Sequence, residues 1–210
     1  MEIKDIEKIL HGRLPRPYGD YKYFSVLVPL VKKNGKLNVL FEIRSDTLNR
    51  QPGEICFPGG RIEKGETPIE GALRETSEEL NIPIEKIKII KELDYFYTYS
   101  NFTLYTFLGI LDENDIVKER LNKDEVKDVF LVPLDFFLET EPVVKVFEVA
   151  PVSDDFPYEL VNLKNTYNWR KGRLTIPIFK YEDHVIWGLT GKVIHNLANI
   201  INKGGIKDEI

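Results

Sequence analysis

The sequence predicts a mixed α/β sandwich, and three observations carry that prediction. Strand-like and helix-like stretches interleave along the chain instead of separating into blocks. An Asn34-Gly35 pair joins two apolar, β-branched runs, which is the signal of a tight hairpin. The stretch from Thr67 to Asn81 carries helix signals at both ends.

Each element follows from its own residues. Ile3, Ile6, Ile9 and Leu10 fall at helical spacing, so a short helix is expected over 3–10, ended by Pro15 and Pro17. Residues 23–31 read as a strand and 36–43 as its return. Residues 45–60, rich in Asp, Asn, Pro and Gly, read as a loop ending in Phe57-Pro-Gly-Gly60. Thr67 then serves as N-cap, Pro68 as the first helical residue and Glu70 as the third, closing a capping box. Asn81 suits a left-handed cap and Pro83 prevents continuation, so that helix ends near Leu80. Residues 86–111 read as β structure. Within them Tyr95, Tyr97 and Tyr99 alternate, the pattern of one strand face packed on its neighbours. Residues 124–138 are mixed, and 142–182 read as strands and loops. Thr190 is expected to cap a final helix over 190–203, where Val193, Ile194, Leu197, Ile200 and Ile201 form one apolar stripe closed by Gly204. No composition break divides the chain, so residues 1–210 read as one domain with 1–17 as a helical extension.

Composition narrows the function. The 210 residues include 29 Lys plus Arg and 34 Asp plus Glu, a formal charge of −5. That balance argues against nonspecific nucleic-acid binding, which needs a basic footprint. A small anionic ligand stays open, because a metal reverses the local sign. The single cysteine, Cys56, makes no internal disulfide and fits a reducing compartment. Acidic residues interrupt the apolar runs near Met1, and no 18-residue apolar run occurs, so no signal peptide and no membrane span are expected. A cytoplasmic protein is the expectation.

The chemistry concentrates on the capped helix. At 100° per residue, Ile69, Ala72, Leu73, Thr76 and Leu80 share one arc, expected to pack on the sheet. Glu75, Glu78 and Glu79 share another, centred roughly 130° away. Carboxylates at i, i+3 and i+4 repel one another unless a cation joins them, and oxygen ligands suit Mg²⁺ or Mn²⁺. An acidic helix face is ordinarily just solvated. Here Gly59 and Gly60 precede it by one loop, Glu66 stands before the N-cap, and Arg74 adjoins the carboxylates and can fork onto one of them.

The run Gly60, five residues, Glu66, seven residues, then Arg74-Glu75-Thr76-Ser77-Glu78-Glu79-Leu80-Asn81-Ile82 resembles the signature of the Nudix hydrolases, G-x5-E-x7-R-E-U-x-E-E-x-G-U, with U a bulky aliphatic residue. Every charged position matches. Thr76 stands where a larger aliphatic residue is usual, and Asn81 replaces the second Gly. The resemblance implies an α/β/α sandwich with a central mixed β-sheet. It implies hydrolysis of a nucleoside diphosphate linked to another group, with Mg²⁺ or Mn²⁺ as cofactor. By position, Glu75, Glu78 and Glu79 would be metal ligands, with the carbonyl of Gly59 or Gly60 adding another. Glu66 and Arg74 would orient them. The general base would be Glu75 or a loop carboxylate, with Glu125 the first candidate and Asp154, Asp155 and Glu159 weaker ones. The family also allows a homodimer.

A second resemblance bears on substrate. Leu40-Phe-Glu-Ile-Arg44-Ser45, Leu48, Gly53-Glu54 and Phe57-Pro-Gly-Gly60 is similar to the extra motif of coenzyme A diphosphatases. Asn49 and Gln51 stand where that motif has Arg and His, and Arg50 lies one residue away. Ser100-Asn101-Phe102 and Trp187-Gly188-Leu189-Thr190 resemble further stretches of that subfamily. The implied small-molecule substrate is coenzyme A, cleaved to 3′,5′-ADP and 4′-phosphopantetheine. Arg44 and Arg50 would be contacts for the extra phosphate, and the tyrosine row could stack on adenine. The departures at 49 and 51 leave other Nudix substrates open: ADP-ribose, a dinucleotide or an oxidised nucleotide. A non-hydrolytic nucleotide sensor is a further alternative, disfavoured because every box carboxylate is present.

Overall fold

Asn34 and Gly35 both take positive φ, 50° and 77°. That turn matches the twist of the strands it joins. Across it β1 (Lys22–Lys33) and β2 (Lys36–Arg44) pair antiparallel, with Lys33 opposite Lys36. A computed structural model describes residues 1–15, 17–153, 155–164 and 166–204. The segment read as a loop contains two short strands, β3 (Ile55–Cys56) and β4 (Gly59–Arg61), which pair with β2 and β1 respectively. Two and three residues are too few to show a period in the sequence.

β5 (Lys88–Glu92), β6 (Phe96–Tyr97), β7 (Phe102–Leu111) and β8 (Val126–Pro133) complete the large sheet. Its main path is β3-β2-β1-β7-β5, with β8 on β2 and β6 on β7. β1 and β7 run parallel while the other pairs are antiparallel, so the sheet is mixed. β9 (Val143–Val149), β10 (Gly172–Tyr181) and β11 (His184–Ile186) form a second, antiparallel sheet.

Helices cover both faces of the large sheet. Preceding it, α1 (Ile3–Leu10) buries none of its residues, and it ends at His11 before the prolines are reached. α2 (Pro68–Leu80) packs Ala72 and Leu80 with Leu27, Val31, Leu40 and Phe107. On the opposite face α3 (Leu134–Glu139) and α4 (Gly188–Asn202) pack Phe137, Val193, Ile194 and Leu197 with Val28, Val39 and Phe41. This is the expected α/β/α sandwich. Strand alternation in β2 therefore sends Val39 and Phe41 toward α4 and Leu40 toward α2. Two residues on, Glu42 shares the α2 side.

The capping of α2 is as the sequence reads. Thr67 accepts from the Glu70 amide, Glu70 accepts from the Thr67 amide at 2.8 Å, and Asn81 closes the helix at φ 52°. Thr67→Ala is expected to cost about 1 kcal/mol, read as a lower denaturant midpoint with unchanged slope. α4 differs from expectation. It starts at Gly188, and the N-cap residue is Trp187, whose side chain does not cap. Thr190 lies inside the first turn, and its hydroxyl donates to the Ile55 carbonyl at 3.1 Å, tying α4 to β3.

Candidate active site

α2 carries its carboxylates into three different environments. Gly71 is buried, and a Cβ there would stand 2.9 Å from Ser25 Oγ, so the helix sits close on β1. That approach turns Glu79 inward, to 5% exposure. The helical period places Glu79 on the acidic arc, away from the apolar one, and does not mark it as buried. A helix pressed this tightly to a sheet buries a wider stripe than its apolar residues mark. Glu75 is half-buried, and Glu78 remains exposed. Ile69, read as core, is also exposed.

Arg74 joins the rest of the box. Its Nε meets Glu66 Oε1 at 2.6 Å and its Nη2 meets Glu66 Oε2 at 3.2 Å, a two-pronged pair. Its Nη1 lies 2.9 Å from Glu75 Oε1 and 3.2 Å from Glu78 Oε2. Glu66 also accepts from the Glu63 amide at 2.8 Å. The Arg74 hydrogen bond and that amide hold the Glu66 carboxyl below its usual range. The two glycines meet the other two carboxylates. The Gly59 amide donates to Glu79 Oε2 at 2.8 Å. A Cβ on Gly60 would fall 2.3–2.5 Å from the Glu75 carboxylate.

Glu42 is the residue that sequence reading did not single out as part of the site. It is 1% exposed, and its Oε1 has no hydrogen-bond partner. Burial pushes its carboxyl up to about 8, with Arg44 opposing and Glu125 and Glu75 adding to the rise. Burial likewise pushes Glu79 well up, reinforced by Glu42 and opposed by the Gly59 amide. Burial raises Glu75 as well, against the pull of Arg74. Glu125 stands half-buried before β8, within electrostatic reach of Glu42, Glu75 and Glu79. Four carboxylates from two strands' ends and one helix thus share one field. The signal for Glu42 was available: a carboxylate in the middle of the otherwise apolar run Val39-Leu-Phe-Glu-Ile43.

The remaining candidates separate. Arg44 lies at the end of β2, where the register with β8 shifts, and its Nε is buried without a partner. It lines a cavity of about 360 Å³ together with Gly59, Cys56, Trp187 and Thr190. Arg50 is exposed and does not line that cavity. Asp155 and Glu159 are exposed, and Asp154 lies outside the described residues. Burial pushes the Cys56 thiol up, so it is no thiolate nucleophile. His184 stacks on Phe130 at 3.8 Å. Tyr95, Tyr97 and Tyr99 are all more than half exposed, not packed as a strand face. Among the described residues, no three His, Cys, Asp or Glu side chains are grouped to hold a metal ion as they stand. Arg74 meets one oxygen each of Glu75 and Glu78, and the Gly59 amide meets one oxygen of Glu79. No helix of the described residues is long and apolar enough to cross a membrane.

The chain is similar in sequence to known proteins. A Mus musculus protein named peroxisomal coenzyme A diphosphatase NUDT7 is 45% identical over 117 residues, which cover 55% of this chain and 48% of that protein. A Homo sapiens protein named mitochondrial coenzyme A diphosphatase NUDT8 is 29% identical over 184 residues, covering 86% of this chain and 70% of that one. Among solved structures, a MutT/nudix family protein from Enterococcus faecalis superposes with a TM-score of 0.53 at 14% identity, covering 96% of this chain and 70% of its own. That likeness bears on the fold alone. The NUDIX domain family matches residues 22–148, more than half of the chain and the whole carboxylate cluster, and the chain belongs to that family.

Proposed function

We propose that this chain is a Mg²⁺- or Mn²⁺-dependent coenzyme A diphosphatase, releasing 3′,5′-ADP and 4′-phosphopantetheine. The observation that carries the reading is the carboxylate cluster of Glu42, Glu75, Glu79 and Glu125 beside the cavity that holds Arg44. The names of the mouse and human relatives support the substrate class.

The donor set fits a hard divalent cation. Buried carboxylates with raised affinity for protons and an unpartnered oxygen on Glu42 are what such an ion satisfies. Glu75, Glu78 and Glu79 would hold it, with Gly59 adjoining and Glu42 behind. When bound, the ion neutralises phosphate charge and makes water a stronger acid. The chain's residues do the remainder. Arg74, anchored on Glu66, orients Glu75 and Glu78. Arg44 meets phosphate oxygens. Of the two candidate bases, Glu75 is engaged by Arg74 and Glu125 is in no ion pair among the described residues, which favours Glu125 for taking the water proton. A single free thiol suits a reducing compartment such as the cytoplasm.

Product analysis tests the substrate. With Mg²⁺ or Mn²⁺ and a panel of coenzyme A, ADP-ribose, NADH and a diadenosine polyphosphate, preferred release of 3′,5′-ADP from coenzyme A is expected. Preference for another member would discard the coenzyme A assignment and keep the Nudix chemistry.

A thermal prediction tests the metal. Glu42 and Glu79 bind protons more tightly folded than unfolded. The stability they contribute is therefore full below about pH 4.5 and is lost as pH rises through the folded values, near 8 for Glu42. Mg²⁺ binds the ionised forms. The rise in Tm on adding Mg²⁺ is expected to be larger at about pH 8.5 than at about pH 6. An equal rise at both pH values would count against Glu79 as a ligand.

A further inference from the structure

We propose that a second cavity, lined by Tyr97, Tyr99, Phe102, Arg173, Trp187 and Lys192, is the subsite for the adenosine 3′-phosphate end of the substrate. This inference rests on the coenzyme A reading. The cavity measures about 550 Å³ and shares Phe102, Trp187, Gly188 and Leu189 with the cavity that holds Arg44. Both volumes lie in the range of small-molecule sites. The two cavities therefore adjoin at Trp187, and the first meets the carboxylate cluster at Gly59, whose amide holds Glu79.

Its lining has a definite chemistry. The chain carries a net −5, yet among the described residues no Asp or Glu lines this cavity, while Arg173 and Lys192 both do. Neither cation is in an ion pair among the described residues. Lys192 is partly desolvated in the first turns of α4, and burial pushes its ammonium down with no carboxylate opposing. An uncompensated ammonium in such a place is satisfied by an anion. The rings are equally placed for a ligand. Tyr97 and Tyr99 are 63% and 71% exposed and Trp187 is 47% exposed, faces that a planar base covers. A base joined to a phosphate matches both features. The pantetheine arm, neutral and without a ring, matches neither.

β9 and β10 supply Val149, Gly172, Arg173 and Leu174 to the wall. The family match ends at residue 148. Most of this wall therefore comes from outside the matched segment, as a substrate-specific subsite requires.

The test compares coenzyme A with 3′-dephospho-coenzyme A in the wild type, Lys192→Met and Arg173→Met. Each substitution is expected to raise KM for coenzyme A about tenfold with little change in kcat, and to move the dephospho substrate less than about twofold. Equal effects on both substrates, or none on either, would overturn the proposal. Calorimetric titration of wild type and Lys192→Met with 3′,5′-ADP separates this claim from the reaction itself. If coenzyme A is not cleaved, the function reading fails. A roughly tenfold weaker binding of 3′,5′-ADP by Lys192→Met would still uphold the subsite, and unchanged or undetectable binding by both would overturn it.

Discussion

Glu79→Gln is expected to lower kcat for diphosphate cleavage at least about 100-fold, and to leave the metal-free protein no less stable than the wild type. The two halves have separate causes. Gln keeps a carbonyl oxygen that can accept from the Gly59 amide, the 2.8 Å bond that fixes this side chain. Packing is preserved because the amide is nearly the size of the carboxylate. What disappears is a negative charge, 5% exposed and facing Glu42, Glu75 and Glu125. Removing it relieves repulsion in the absence of a cation, so folding in EDTA at about pH 8 improves or stays level. The same charge is what a divalent ion would bind, so catalysis falls. Saturating kinetics and urea denaturation in EDTA measure the two halves. A variant that turns over near the wild-type rate would remove Glu79 from the ligand set. One that unfolds more readily would show that the carboxylate is a structural partner instead.

Local signals made much of this molecule legible. Asn34-Gly35, Thr67, Pro68, Glu70 and Asn81 each act through their own backbone or nearest neighbours, and each takes its expected conformation. What sequence did not carry is set by the approach of distant elements. Glu79 is buried because Gly71 lets α2 close on Ser25, and no helical period states that distance. Glu42 joins the cluster because the alternation of β2 faces the helix, which requires knowing which side α2 covers. Glu125 reaches the same field through the pairing of β8 with β2. Thr190 is a compatible N-cap in sequence, but β3 offers it a carbonyl and the helix starts two residues earlier. The tyrosine row is exposed because β6 is only two residues long, too short to bury an alternating face. In the box, residue identities were readable, and the sharing of one electrostatic field by four carboxylates was not.

Gly59→Ala and Gly60→Ala are expected to fail in opposite ways. Gly59 has φ 148°, and a Cβ there would lie 2.3 Å from the Ser25 carbonyl oxygen and 2.6 Å from Val26 Cα. Both are backbone atoms of β1, held by the pairing of β4 with β1. The strand would have to separate, at a cost of about 3 kcal/mol or more, so Gly59→Ala should lose stability first and activity with it. The Cβ of Gly60→Ala meets only the end of the Glu75 side chain, at 2.3–2.5 Å. A flexible carboxylate can swing aside, so the fold is expected to persist with a loss below about 1 kcal/mol. Glu75 cannot both swing aside and keep its 2.9 Å pair with Arg74. Activity should therefore fall about 30-fold or more in a folded protein, chiefly in kcat, because the displaced group acts on the reacting centre and not on remote binding. Thermal denaturation beside steady-state kinetics on the two variants decides the matter. A Gly60→Ala protein with wild-type kcat would mean that the position of Glu75 is not required, and the role of Arg74 in orienting it would fall with it.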